Sequence, residues 1–365
     1  MSNIIDYIKW RGDLSFKASP INEIDSLIMA RISYLPYEKV KFKDMIGFEK
    51  LAEDFLNLDE EKFHQIDDID LIKELAKSER FKEIKFSDMR VKFSEEEEMQ
   101  FFSITVWLPN GELFVSFRGT DATLVGWKED FNMSFMSNLP SQKEAVDYLE
   151  TISKKYPLKK IRVGGHSKGG NLAVYSGIFT NLKTQNRIID ITSADGPGFD
   201  KDIIDTKEYK AILDRIHTYI PQSSVIGRLL EHEEEYRIVE SVQKGIMQHD
   251  IYSWQVEGPK IKSIEEVTNQ SEMVNGVVRS WLKSTSPEQR KNFVDIVFQI
   301  FNTTQVETVH DLSIGLIKNM GKVMSTYKNI DEEEKKEIKD IVKTLFKTSF
   351  STIKEELLQQ RNLDK

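Results

Sequence analysis

Residues 160–182 read KIRVGGHSKGGNLAVYSGIFTNL, and this stretch decides the fold. A short apolar run with the composition of a strand leads into a serine, Ser167, and a helical pattern of apolar residues follows it. Residues 165–169, GHSKG, fit the pattern G-x-S-x-G, which describes a sharp strand-to-helix turn that exposes a nucleophilic serine. Short glycine patterns also occur by chance, so the flanking strand and helix carry the prediction.

The small residues around Ser167 suit such a turn. Gly165 and Gly169 avoid clashes where the chain reverses from strand to helix. The turn also places Ser167 at a helix N-terminus, where the dipole and free amides favour a developing oxyanion. The backbone N–H of Lys168 is the expected first donor to that oxyanion. The alternative is a tight turn in which Ser167 only caps the helix.

The sequence around this turn alternates between strands and helices. From about residue 86 to 118 the apolar period is two, which predicts antiparallel strands that lead into a central strand. A helix over about 141–156 precedes the turn. Strands at 187–195, 214–220 and 236–241 follow it. This order predicts an α/β protein with a mostly parallel sheet flanked by helices on both faces.

The two ends of the chain differ from this central part. Residues 1–85 are predicted to form a helical N-terminal segment that packs on the core at 86–261. Residues 262–365 are predicted to form a charged, helical C-terminal extension. Its apolar stripe predicts an amphipathic helix packed on the body, with a lid, a dimer contact or a membrane-surface face as alternatives. The stripe comprises Ile338, Ile341, Val342, Leu345 and Phe346.

The composition excludes several classes of function. The chain has 365 residues and a formal net charge of -9, and this acidic balance argues against a general nucleic-acid-binding protein. It has no cysteine, which excludes disulfides, a zinc-thiolate site and a cysteine nucleophile. The first residues lack the apolar core of a signal peptide, and no apolar run approaches 18 residues. We therefore expect a soluble cytoplasmic protein, whose oligomeric state stays open.

Several motifs together resemble a known family. FRGT at 117–120, followed by Trp127, Asp130 and the GHSKGG turn, is similar to the class 3 (fungal-type) lipases of the α/β-hydrolase superfamily. DGPGF at 195–199, PQSSVIG at 221–227 and QHDIYSW at 248–254 resemble the bacterial Mbeg-like domain family of that branch, which is largely uncharacterised. The resemblance extends from about residue 10 to residue 258. It implies an α/β-hydrolase fold.

The resemblance also implies two further features. Thr120, which follows FRG, would be the second oxyanion donor; the alternative is a plain strand end with Arg118 in a structural ion pair. The segment 121–140 would correspond to the lid of the lipases and would border an apolar acyl site. For Trp127 and Phe131 within it, ordinary core packing is the alternative. The apolar residues of this segment are Leu124, Val125, Trp127, Phe131, Met133, Phe135 and Met136.

The general base is expected to be one of the six histidines. The chain order of this fold is serine, acid, histidine, and His249 lies in a loop after the last predicted strand. A loop histidine without a role is the alternative. His166 lies inside the turn and should point away from the serine, in a packing or hydrogen-bonding role. His232 lies in a charged run, LEHEEEY, that is typical of a solvated surface. Asp250 is not expected to pair with its neighbour His249.

The acid is harder to identify. In class 3 lipases it follows the strand that corresponds to DRIHTYI, but residues 221–224 of this chain read PQSS and contain no carboxylate. Asp195, at the end of the preceding strand, is the best substitute, because an acid there can orient His249 and stabilise its imidazolium. Two alternatives stay open. Asp195 is a turn residue that binds local amides, or a Ser-His dyad is assisted by Ser223 or Ser224.

These observations predict a serine hydrolase of lipase or esterase type that cleaves a small-molecule or lipid ester through an acyl-enzyme. Its catalytic residues would be Ser167, His249 and Asp195, with no metal and no organic cofactor. One alternative is a catalytically silent hydrolase scaffold that binds a ligand or partner, which the missing acid at 221–224 favours. Another is a thioesterase, acyltransferase or peptidase that uses the same serine.

Overall fold

A computed structural model describes residues 2–120 and 139–268 continuously, with isolated residues at 128–132, at 271–295 and at 336. The chain divides into two units. The first comprises Met1–Phe93, Phe101–Gly119 and Pro140–Thr268; the second comprises Ser94–Gln100, Thr120–Leu139 and Asn269–Lys365. Most of the predicted lid at 121–140, with Trp127, and nearly all of the predicted C-terminal extension, with its apolar stripe and His310, lie outside the described residues.

The first unit contains a mixed β-sheet. Its strands are β1 (Ile46–Gly47), β2 (Lys85–Ser94), β3 (Met99–Trp107), β4 (Leu113–Phe117), β5 (Ile161–His166), β6 (Ile188–Ala194), β7 (Ile216–Pro221), β8 (Tyr236–Val239) and β11 (Ser263–Ile264). Within the described residues, nine strands follow the order β1-β2-β3-β4-β5-β6-β7-β8-β11. Strands β4 to β8 are mutually parallel, whereas β3 pairs with β4 and β11 with β8 in antiparallel fashion. β9 (Val256–Glu257) and β10 (Lys260–Ile261) form a separate hairpin.

Helices precede the sheet and connect its strands. The N-terminal helices span Ile4–Arg11, Glu23–Ile32, Phe48–Leu56 and Asp67–Lys77. The connecting helices span Pro140–Lys155, Lys168–Phe179, Leu182–Gln185, Lys201–Ile204 and Lys207–Lys210. The predicted mostly parallel sheet flanked by helices is therefore confirmed.

The two faces of β4 carry different helices. Successive side chains of a strand point to opposite faces, and on one face the Ser116 hydroxyl donates to the backbone carbonyl of Met29, 2.7 Å away, in the helix Glu23–Ile32. On the other face the Phe117 ring lies 6.1 Å, centroid to centroid, from Tyr148 of the helix Pro140–Lys155. The helix Glu23–Ile32 therefore lies on one face of the sheet, and the helix Pro140–Lys155 lies on the other.

The helix Glu23–Ile32 is buried along nearly its whole length. Asn22 caps its N-terminus, and Asp25 completes a capping box. Asp25 also forms a fully buried ion pair with Arg80. Arg80 in turn donates to the carbonyl oxygens of Leu14 and Ser19, each at 2.9 Å. The charged groups of this segment are thus paired, as burial requires.

A second buried ion pair lies within the N-terminal part and accepts a hydrogen bond from the loop after β8. The guanidinium of Arg31 lies 2.6 Å from Asp68 Oδ1, and both side chains are almost inaccessible to solvent. The hydroxyl of Tyr252 donates to the same carboxylate oxygen at 2.7 Å. Because breaking such a pair leaves an uncompensated buried charge, this contact holds residue 252, three positions beyond His249, against the N-terminal helices.

The second unit is described at few positions. Lys128 forms ion pairs with Glu98 and Asp295, and Asn132 donates to Glu98 at 2.7 Å. Among the residues with a described placement, no helix is long and apolar enough to cross a membrane.

Candidate active site

The turn after β5 has the backbone conformation of a nucleophile elbow. Ser167 has φ 59° and ψ -133°, between the end of β5 and the helix Lys168–Phe179. A positive φ is strained for a residue with a Cβ atom, and such residues cluster at functional sites. Backbone hydrogen bonds hold the turn in place: the Ser167 N–H donates to Ala194 O at 2.8 Å, and Gly170 N–H donates to Ser167 O at 2.8 Å.

Two glycines allow this turn to pack against the end of β4. A Cβ atom on Gly165 would lie 2.3 Å from the backbone of Gly169 and 2.6 Å from the carbonyl oxygen of Phe117. A Cβ atom on Gly169 would lie 2.3 Å from that same oxygen. All of these neighbours are backbone atoms, which cannot rotate away. The spacing of glycines in G-x-S-x-G is thus required by close approach of three backbone segments.

We expect Gly165→Ala to destabilise the protein by about 3 kcal/mol or more, because the methyl group overlaps fixed backbone atoms. Thermal unfolding should show a midpoint lowered by roughly 6–12 °C. Gly47→Ala is the matched control, since a Cβ atom there meets nothing within 4 Å. That control should cost less than about 1 kcal/mol. Equal midpoints for the two variants would contradict this account of the turn.

The structure brings Asp195 and His249 together. Asp195 follows β6 with φ 48°, and its side chain is inaccessible to solvent. Its Oδ2 lies 2.6 Å from His249 Nδ1. The His249 side chain retains 27% of its accessible surface, so part of the ring is exposed to solvent, whereas the carboxylate that it contacts is buried. This is the relation that the acid and base of a catalytic triad have to each other.

The other carboxylate oxygen of Asp195 is held by the segment after β7. Ser224 Oγ donates to Oδ1 at 2.5 Å, and Gly227 N–H donates to it at 3.0 Å. Asp195 therefore binds the amide of a residue 32 positions further along the chain and orients a histidine at the same time. Residues 221–224 carry no carboxylate, but Ser224 fixes the acid that comes from the neighbouring strand.

The loop that carries His249 is anchored by its neighbours. Gln248 accepts a hydrogen bond from Ser223 N–H at 2.7 Å and donates to Gln243 O at 2.8 Å. The indole N–H of Trp254 donates to the Gln248 carbonyl at 2.8 Å. Asp250 does not pair with His249: it accepts from Tyr252 N–H at 3.0 Å, in agreement with the sequence prediction.

His166 links the elbow to the same loop. Its Nε2 lies 2.7 Å from the His249 carbonyl oxygen, and the two imidazole rings are 4.4 Å apart. A carbonyl only accepts, so Nε2 carries the proton and Nδ1 is the acceptor of the neutral ring. The hydroxyl of Tyr34 lies 3.3 Å from that Nδ1. Tyr34 also accepts from Gly119 N–H at 3.1 Å. The predicted hydrogen-bonding role of His166 agrees with this geometry.

Burial, together with the nearby His249 and Arg31, holds the pKa of His166 well below the usual value for histidine. The unfolded ring takes up a proton near pH 6.5, whereas the buried ring does not. The unfolded state then binds more protons, so the free energy of unfolding should fall as the pH drops below about 6.5, by up to ~1.4 kcal/mol per pH unit.

The variant His166→Gln should lack this contribution, since glutamine does not titrate in this range. Urea denaturation at pH 7.5, 6 and 5 measures the free energy of unfolding of both proteins. The loss on acidification should be smaller in the variant. Parallel pH dependence in the two proteins would show that a protonated imidazole is tolerated at this position.

The structure describes the two predicted oxyanion donors, Lys168 and Thr120, to different extents. Lys168 is the first residue of the helix after Ser167, and its side chain is buried. Thr120 is half-buried and belongs to the second unit, so its role stays a prediction. Arg118, beside it, forms an ion pair with Glu38 at 2.6 Å and donates to Ser33 O at 2.6 Å. Arg118 is thus in the structural ion pair that the sequence analysis gave as an alternative.

Sequence reasoning missed some residues of this site and misplaced one. Tyr34 and Gly227 were not singled out, and Ser224 was considered only as support for a dyad. His232, predicted on a solvated surface, retains only 8% of its side-chain exposure, so that prediction is wrong. Among the residues whose placement is described, no group of three or more histidine, aspartate or glutamate side chains is arranged to hold a metal ion.

Comparison with known proteins places the chain in a family. A family model described as Mbeg1-like matches residues 75–299, more than half of the chain, and the chain belongs to the Mbeg1-like family. The predicted resemblance is confirmed. A comparison with curated proteins finds no match.

Two fungal lipases are among the similar solved structures. The Rhizomucor miehei lipase propeptide complex is 15% identical with a TM-score of 0.34, over 43% of this chain and 57% of that one. Lipase II from Rhizopus niveus is 11% identical with a TM-score of 0.38, over 65% of this chain and 87% of that one. This chain thus spans little more than half the length of the first of them.

Proposed function

We propose that this protein is a serine hydrolase of lipase or esterase type, with Ser167 as nucleophile, His249 as general base and Asp195 as the acid. One observation carries the proposal. A buried carboxylate lies 2.6 Å from Nδ1 of a partly exposed histidine, at the sheet edge where a serine has a φ of 59°. A serine on a strained turn and a histidine oriented by an acid are the parts that nucleophilic catalysis by serine requires.

The sheet register supports the convergence of these residues. His166 and Ala194 are register partners on the adjacent parallel strands β5 and β6. The next residues along each strand, Ser167 and Asp195, therefore leave the sheet side by side at its carboxyl edge. His249 is bound to both strand ends, through its ring to Asp195 and through its carbonyl to His166. Ligands of open α/β sheets bind at this edge.

The proposed reaction has two halves. Because the His249 Nδ1–H donates to Asp195, Nε2 is the nitrogen that takes the proton of the Ser167 hydroxyl. Ser167 attacks the ester carbonyl, and the amide of Lys168 stabilises the oxyanion, by about 3–4 kcal/mol. His249 then protonates the leaving alcohol. In the second half, His249 activates a water molecule that hydrolyses the acyl-enzyme.

Labelling with a fluorophosphonate tests the proposal, because this probe forms a covalent bond with an activated serine. Purified wild-type protein should be labelled, and Ser167→Ala should not. A panel of nitrophenyl esters of increasing chain length, with the matching thioesters, would then define the acyl group and the bond that is cleaved. A folded wild-type protein that neither takes the label nor hydrolyses any ester would favour the silent scaffold that binds a ligand or partner.

A further inference from the structure

A buried ionic pair lies behind Asp195, on the side away from His249. His232 and Glu234 belong to the charged run LEHEEEY, yet their side chains retain only 8% and 3% of their exposure. Their contact joins His232 Nδ1 to Glu234 Oε1 at 2.9 Å. Burial of ionisable groups costs free energy unless they are paired and hydrogen-bonded. The hydrogen-bond partners of His232 and Glu234 therefore indicate the role of the pair.

Glu234 accepts hydrogen bonds from three side chains. Besides His232, Thr218 Oγ1 donates at 2.6 Å to Oε1, and the Tyr209 hydroxyl donates to Oε2. Burial acts to raise the pKa of Glu234, but hydrogen bonds from His232, Thr218 and Tyr209 and the charge of His232 lower it to about 2. Glu234 is thus an ionised carboxylate that ties the loop to β7 and to the short helix Lys207–Lys210.

The second nitrogen of His232 also faces an acceptor. Its Nε2 lies 2.8 Å from the carbonyl oxygen of Gly227. A carbonyl and an ionised carboxylate can only accept, so both ring nitrogens must donate. The imidazolium is the form of His232 that satisfies both contacts.

Gly227 connects this pair to the acid. Its N–H donates to Asp195 Oδ1 at 3.0 Å, while its carbonyl accepts from His232. The fit is close, because a Cβ atom on Gly227 would lie 2.3 Å from Asp195 Oδ1. The segment is also bound to the loop after Asp195, through Gly198 N–H to Leu229 O at 2.9 Å. A shift of the turn at Gly227 would therefore move a direct hydrogen-bond partner of the carboxylate.

We propose that His232, held as an imidazolium by Glu234, is a positioning residue that fixes the Gly227 turn and, through it, the Asp195 carboxylate. The inference deepens the proposed function and rests on it, since Asp195 is the acid of that site. His232 touches neither the substrate nor the reacting atoms in this account. It acts on the rate through the orientation of His249, because misplacement of a catalytic group by about 1 Å can cost about 10²-fold in rate.

The variant His232→Gln tests this, with two readouts. The first is kcat for a nitrophenyl ester, expected to fall roughly 10–100-fold with KM unchanged. The second is the proton resonance of His249 Nδ1–H, which reports its hydrogen bond to Asp195 whether or not the protein turns over substrate. That resonance should shift or broaden in the variant. His217→Gln, at an exposed position of β7, is the matched control and should change neither.

The outcomes separate the inference from the function. If His232→Gln keeps both the wild-type kcat and the wild-type resonance, the positioning role is wrong. If the wild-type protein shows the resonance but takes no fluorophosphonate label, the proposed function fails, and a shifted resonance in the variant still supports the positioning role. If His232→Gln does not fold, Glu234→Gln is measured instead. It removes the charge that holds the imidazolium and should give the same two changes.

Discussion

Ser167→Ala is expected to lower kcat for ester hydrolysis by about 10⁶-fold, the loss found when a serine nucleophile is removed from a triad. KM should change little, because the substitution removes only the hydroxyl group of Ser167. The variant should also be as stable as the wild type. Alanine keeps the Cβ atom, so the backbone strain at φ 59° is unchanged. The measurement is hydrolysis of the best nitrophenyl ester by both proteins.

Ser176→Ala provides the matched control. Ser176 lies in the helix that follows Ser167, is fully buried, and donates to the Ala173 carbonyl at 2.9 Å. Replacement of Ser176 by alanine also removes a serine hydroxyl group, but away from the elbow. It should leave kcat at the wild-type level. Hydrolysis by Ser167→Ala at a rate close to that of the wild type would mean that another residue is the nucleophile.

The elbow could be predicted from sequence because its determinants are local. Strand, glycine, serine, glycine and helix follow each other within residues 160–182. The contacts that require the glycines also involve Phe117 at the end of β4, but the glycine pattern itself is visible in the short segment. The pairing of His249 with Asp195 could be predicted from chain order and from the ends of the strands. These features depend on backbone geometry that neighbouring residues specify.

The support of the site could not be predicted in the same way, because its contacts join residues far apart in the chain. Tyr34 reaches His166 across 132 positions, and Arg31 reaches Tyr252 across 221. No periodicity in a window of ordinary length reports such pairs. For His232 the sequence did support a prediction, but that prediction was wrong. Its charged neighbours are typical of a solvated surface, but the side chain turns inward to bind Glu234 and Gly227.

Asp195→Asn is expected to lower kcat by about 10⁴-fold with little change in stability. The reason lies in the two sides of the carboxylate. Oδ1 accepts from Ser224 Oγ and Gly227 N–H, so the amide oxygen of asparagine must face those donors. The amide nitrogen then faces His249 Nδ1, which has to accept. The proton moves to Nε2, and His249 can no longer take the proton of Ser167.

Asp250→Asn separates this effect from a general loss of negative charge beside His249. Asp250 is the adjacent residue, and its carboxylate accepts from Tyr252 N–H at 3.0 Å, a bond that an asparagine oxygen also accepts. The control should therefore keep kcat near the wild-type value, while Asp195→Asn loses it. Equal losses in both variants would indicate a purely electrostatic role for the carboxylates. An unchanged kcat in Asp195→Asn would leave a dyad of Ser167 and His249, in which His249 keeps the catalytic tautomer without the acid.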